Sequence, residues 1–164
     1  MRGKIKTIKN GFSIIEVMVA IGVILVSFIG MLTLINRSLI FHDLAYSRLI
    51  ASYLAQEGIE IVRNIRDNNI LQNKNWNEGL SAGTYQVQYD DLSLRPYTGE
   101  PLKLDTANGI YNYDSGALTR YIRQINIDPI SPDHIRVQSI VTWTNRGGSF
   151  NIVVEDHLYN WLSD

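Results

Sequence analysis

Between Val17 and Ile35 the chain runs for nineteen residues without a charge, most of them Val, Ile, Leu, Met or Phe. At the helical rise this run is about 28 Å long, close to the ~30 Å hydrocarbon core of a bilayer. No polar stripe recurs within it at helical spacing, as it would on a core helix that turns one face to water. The run therefore predicts a helix that spans a membrane. Ahead of it, "MRGKIKTIKNG" carries Arg2, Lys4, Lys6 and Lys9 and no acid; Arg37 and Arg48 are the first basic residues behind it. That asymmetry predicts a cytoplasmic N-terminus with the rest of the chain outside. After Ile35 the stretch "NRSLIFHDL" offers no small-x-small cleavage site, so the apolar segment is expected to be retained.

One carboxylate, Glu16, borders this run. A charge at the centre of a membrane helix costs about 2.5–3.5 kcal/mol on insertion scales, so its position needs a reason. The stretch "KNGFSIIEVMVAIGVIL" resembles the N-terminal signature of type IV pilins and of the pseudopilins of type II secretion. The resemblance implies that a prepilin peptidase cuts between Gly11 and Phe12 and methylates the new Phe12 amine. It also implies that Glu16 pairs with the terminal amine of a neighbouring subunit during assembly. Positions i and i+4 share a helix face, which places Glu16 one turn from Phe12. An unpaired buried charge is costly and a paired one tolerated, so such a carboxylate would favour addition to a growing filament. The alternative is that Glu16 sits among lipid headgroups near a helix N-terminus, where an anion is welcome. Many major pilins carry a proline in the apolar half of this helix, whereas none lies between Phe12 and Arg37, which favours a minor subunit.

Beyond Ile35 the helical pattern continues, with apolar Ile40, Leu44, Ala45, Leu49, Tyr53, Leu54, Ile61, Val62 and Ile65 at mostly three- and four-residue spacing. "RDNN" at 66–69 reads as a stop. Further on, "TYQVQYD" (84–90) alternates like a half-buried strand, and "PLKL" and "GIYNYDSG" read as short strands or loops. "TRYIRQINI" (119–127) reads as a strand closed by the prolines of "DPISPD". "HIRVQSIVTWT" (134–144) places Ile135, Val137, Ser139, Val141 and Trp143 on one face. "NRGGS" is a hairpin turn, and "SFNIVVEDHL" (149–158) returns. The order of these strands, from 119 to Trp161, is similar to the distal part of I-type minor pseudopilins. The expected fold class is α+β: a long N-terminal helix packed on a small antiparallel sheet, pilin-like. The expected segments are a removed leader (1–11), a membrane or filament-core segment (12–35), an amphipathic continuation (36–67) and a β-rich head (68–164).

Four of the 15 basic residues lie in the leader, leaving 11 against 16 acidic ones. An acidic body argues against nonspecific nucleic-acid binding. The absence of cysteine excludes disulfides, thiolate zinc sites and cysteine nucleophiles. His42, His134 and His157 read as scattered, and Asp156–His157 lacks the nucleophile elbow of a triad enzyme. Asp105, Asn108, Asn112 and Asp114 form an oxygen-rich stretch of the kind some pseudopilin heads use for calcium, but turn chemistry explains the same residues. No phosphate-binding loop is present, and no nucleotide, cofactor or enzymatic activity is expected. The resemblance implies a subunit of a type IV pilus or a secretion pseudopilus. Its partners would be the prepilin peptidase, other pilin or pseudopilin subunits, an inner-membrane assembly platform and, before assembly, the lipid bilayer. A head that binds a surface, glycan or DNA is the alternative.

Overall fold

The computed structural model describes residue 11 and residues 13–161. The elements run in the order α1 (Ile14–Leu71), β1 (Gly83–Gln86), β2 (Arg95–Pro96), β3 (Lys103–Asp105), β4 (Ile110–Asn112), β5 (Ala117–Leu118), β6 (Tyr121–Ser131), β7 (His134–Asn145) and β8 (Gly148–Tyr159). By its contacts the chain divides into two compact units, one ending at Asp43 and one beginning at Leu44.

The unit from Leu44 onward is the α+β head. Its main sheet has the order β2-β1-β6-β7-β8, and every pairing is antiparallel; a second sheet has the order β4-β3-β5. The helix supplies the other layer. It buries Ser47, Ala51, Leu54, Ala55, Gly58, Ile59, Ile61, Val62 and Ile65, a stripe at helical spacing. On the sheet side, β6 and β7 alternate as a one-sided sheet must. Tyr121, Arg123, Ile125 and Ile127 point inward from β6, and Ile135, Val137, Ser139, Val141 and Trp143 from β7.

The buried stripe differs from the apolar pattern. Leu54, Ile61, Val62 and Ile65 are buried as expected, while Ile40, Leu49 and Tyr53 are exposed. Small residues take their place because the helix lies close to the sheet. A Cβ added at Gly58 would stand 2.5 Å from Ser139 Oγ and 2.9 Å from Ile125 Cδ1. The helix also runs past "RDNN". Asn69 Nδ2 reaches forward to the carbonyls of Trp76 and Glu78 and stabilises the following turn. The stop comes at Asn73 in the left-handed region (φ 55°), with Lys74 N bonded to Asn69 O and Asn73 N to Ile70 O. Those two bonds are the pattern of a Schellman cap.

Strand β6 likewise outlasts its expected end. Pro129 pairs with Ile135 and the irregularity falls between Pro129 and Ser131, so the proline is absorbed beside a bulge. The β7–β8 hairpin turns through Arg146 (φ 48°) and Gly147 (φ 80°). Positive φ at both central residues is the type I′ geometry, which suits the twist of the flanking strands. Strand β8 stops at Tyr159, short of Trp161, which is exposed.

Arg123 is fully buried where three segments meet. Its Nη1 donates to Leu54 O (2.9 Å) and Glu57 Oε2 (2.5 Å) on the helix, and its Nη2 donates to Val87 O (2.6 Å). Gln88, also buried, accepts from Tyr113 N and donates to Asp90 and Asp114, and so ties the second sheet to the first.

Candidate functional site

The expected processing and assembly residues fall at the start of α1. Gly11 is exposed and outside any helix. Phe12 and the leader residues 1–10 lie outside the described residues. The helix begins at Ile14, with Val17 N and Glu16 N both donating to Ser13 O (3.2 and 3.0 Å). Glu16 is therefore in the first turn, exposed, where the N-terminal end of the helix dipole favours a carboxylate. Ser13 and Glu16 also stand in the S-x-x-E spacing of a capping box, a local start signal that the apolar run had overshadowed.

From Ile14 to Phe41 the large apolar side chains, among them Val23, Leu25, Phe28 and Leu34, are exposed. The helix contains a stretch of mean hydropathy 2.7 with 0 % of it buried, long and apolar enough to cross a membrane. Two hydroxyls within the uncharged run from Val17 to Ile35 are satisfied on the helix backbone: Ser27 Oγ donates to Val23 O (2.8 Å) and Thr33 Oγ1 to Ile29 O (3.0 Å). Polar atoms satisfied within the helix need no water, which is the condition for sitting in hydrocarbon.

In the head, the structure sorts the other candidates. His134 and His157, read as scattered, meet: Nε2 of His134 and Nδ1 of His157 are 2.7 Å apart, and His134 stacks on Tyr159. The cross-strand register brings them together, since Arg136 faces His157 and Tyr159 faces His134. Beyond them, His157 Nε2 is 3.2 Å from Glu155 Oε1, and Gln138 Nε2 donates to Glu155 Oε2. The Gln138 hydrogen bond, and after it His157, hold the Glu155 carboxyl below the usual range. His42 lies elsewhere, exposed on the helix.

Asp156 and His157 do not act as a pair. Successive residues of a strand point to opposite faces. Asp156 faces the helix and accepts from Arg63 Nη2 (2.7 Å), whereas the His157 ring lies on the other face with Glu155.

The oxygens of the stretch 105–116 are engaged by donors within the stretch and by Gln88 and Arg95. Asp105 accepts from Ala107 N and Asn108 Nδ2, and these bonds lower its pKa, the Ala107 N–H most. Asn112 Oδ1 accepts from Asp114 N and Ser115 N. Asp114 accepts from Gln88 and Arg95, and the Gln88 bond is the main cause of its lowered pKa. Among the described residues no group of three or more His, Asp or Glu is placed to hold a metal ion. Comparison with known proteins found no matching family model, no matching curated protein and no matching solved structure.

Proposed function

We propose that the chain is a prepilin-like structural subunit, cut between Gly11 and Phe12, methylated at Phe12, and assembled into a type IV pilus or type II secretion pseudopilus. The reading is non-enzymatic and favours a minor subunit. One observation carries it: the helix from Ile14 to Phe41 exposes its apolar side chains all round, with a single carboxylate, Glu16, in its first turn. Exposed apolar surface on this scale needs a cover. Lipid covers it before assembly and the helices of neighbouring subunits afterwards. Glu16 gains its partner, the Phe12 amine of a neighbour, only in the second state. The basic leader supports insertion with the N-terminus in the cytoplasm and the head outside. Shearing filaments from cells and probing the fraction for this chain tests the proposal. Recovery with the filaments is expected, and retention wholly in the membrane fraction under filament-forming conditions contradicts it.

A further inference from the structure

On the face of β7 and β8 turned away from the helix, the register sets His134 opposite Tyr159 and His157 opposite Arg136. The two histidines therefore stand on a cross-strand diagonal, within reach of each other for ring side chains. They meet nitrogen to nitrogen, His134 Nε2 to His157 Nδ1 at 2.7 Å, with ring centroids 4.9 Å apart. Such a contact holds one proton between two imidazole nitrogens, and a proton is what a metal ion displaces from its ligands.

Both rings are held for this contact by other side chains. His157 Nε2 is 3.2 Å from Glu155 Oε1, and Glu155 Oε2 accepts from Gln138 Nε2 at 2.7 Å. The Gln138 hydrogen bond keeps the Glu155 carboxyl below the usual range, so it is ionised near neutrality and can only accept. The hydrogen of neutral His157 then sits on Nε2, and Nδ1 presents its lone pair to His134. A histidine that ligates a metal through one nitrogen generally gives its other N–H to such a carboxylate. The His134 ring stacks on Tyr159, 4.3 Å between centroids and 12° from parallel. Arg136, opposite His157, directs Nη2 to Asp128 on β6 (2.6 Å) and is neutralised there.

We propose that His134 Nε2 and His157 Nδ1 bind a divalent transition ion that favours imidazole, such as zinc, with water completing its shell. Two nitrogens on a tetrahedral zinc ion lie about 3.3 Å apart. The pair must part by about 0.6 Å, which small rotations of two side chains that reach the surface allow. Glu155 stays on the far nitrogen of His157 and orients the ring without ligating. Two protein ligands are fewer than the three or four of catalytic and structural zinc sites, in keeping with the lack of a three-residue group among the described residues. Calcium and magnesium, which take oxygen ligands, do not suit the pair. Strand β8 is the sheet edge and ends at Tyr159, so an ion on His157 fastens its last residues to β7. The inference is independent of the filament reading.

The chain has three histidines and no cysteine, so imidazole binding is simple to trace. The full-length protein, in detergent and without a histidine tag, is stripped with a chelator and titrated with zinc chloride by calorimetry. One ion per chain is expected, with a melting temperature that rises with zinc concentration and does not respond to magnesium. His134→Ala and His157→Ala should each weaken binding by about tenfold or more, and Glu155→Gln by about 10- to 100-fold. His42→Ala should bind as the wild type does. These are surface positions, so without zinc every variant should melt close to the wild type. Long-range nitrogen NMR should show zinc shifting His134 Nε2 and His157 Nδ1 and leaving the His42 nitrogens in place. Zinc binding no tighter in the wild type than in the His134→Ala, His157→Ala double variant overturns the inference, and the contact is then a hydrogen bond only. An affinity indifferent to Glu155→Gln, or equal zinc shifts at His42, also overturns it.

Discussion

Arg123 of strand β6, with no exposed side-chain surface, donates to Glu57 of helix α1 at 2.5 Å. The same guanidinium serves the carbonyls of Leu54 and Val87, so one side chain joins the helix, the main sheet and the segment leading to the second sheet. Arg123→Ala leaves those acceptors unserved and opens a void, and should cost about 3–5 kcal/mol. Urea unfolding of the full chain in detergent measures it. A loss below about 1 kcal/mol would contradict the role given to Arg123.

Gly58 faces Ser139 where helix and sheet approach most closely. Gly58→Ala forces a Cβ to within 2.5 Å of Ser139 Oγ. Overpacking of this kind costs about 1–3 kcal/mol, of which the better helix propensity of alanine returns about 1. The expected result is a net loss of about 1 kcal/mol in the same unfolding assay. Ser139 Oγ is buried without a partner, so Ser139→Ala should be neutral or stabilising, and Gly58→Ala should cost less in that background.

Acid should loosen the head through identified carboxylates. Asp105, Asp114 and Glu155 all titrate below their usual values because N–H donors bind their ionised forms, the Gln88 and Gln138 amides being the main causes at Asp114 and Glu155. A depressed folded pKa contributes stability that is complete above the unfolded value, about 4, and is lost as pH falls through the folded one. Melting temperature should therefore hold from neutrality to about pH 5 and drop below about pH 4. The triple variant Asp105→Asn, Asp114→Asn, Glu155→Gln should show a shallower drop; an identical one would contradict the assignment.

Glu16→Ala should still be cut between Gly11 and Phe12, because the junction is untouched. On the proposed pairing, the Phe12 amine of a neighbour would then lose its partner, and recovery in sheared filaments should fall by about tenfold or more. Quantitative immunoblotting of the filament fraction measures this, and recovery at the wild-type level would exclude the pairing role.

Much of the architecture was legible because it rests on long periodic signals. The uncharged run announces the helix, and alternation over 134–144 with the Asn145–Gly148 turn announces the hairpin. The small-residue stripe was not legible. Ser47, Ala51, Ala55 and Gly58 carry no apolar bulk, and they became contact residues only because the sheet came close. Arg123 was half legible: it alternates with Ile125 and Ile127, but a charge on the inward face reads as an exception until its three acceptors are known. The second sheet has strands of two or three residues, too short for any period, and side-chain bonds from Gln88 hold it in place. The meeting of His134 with His157 was derivable. Once Asn145 faces Gly148, counting back along both strands sets Arg136 opposite His157, with His134 next on the same face.

Mass spectrometry of the protein purified from cells with an active prepilin peptidase tests the central claim most directly. The account predicts a mature chain that begins at Phe12 with a methyl group on its amine. A chain that retains Met1 and the basic leader in those cells would contradict it.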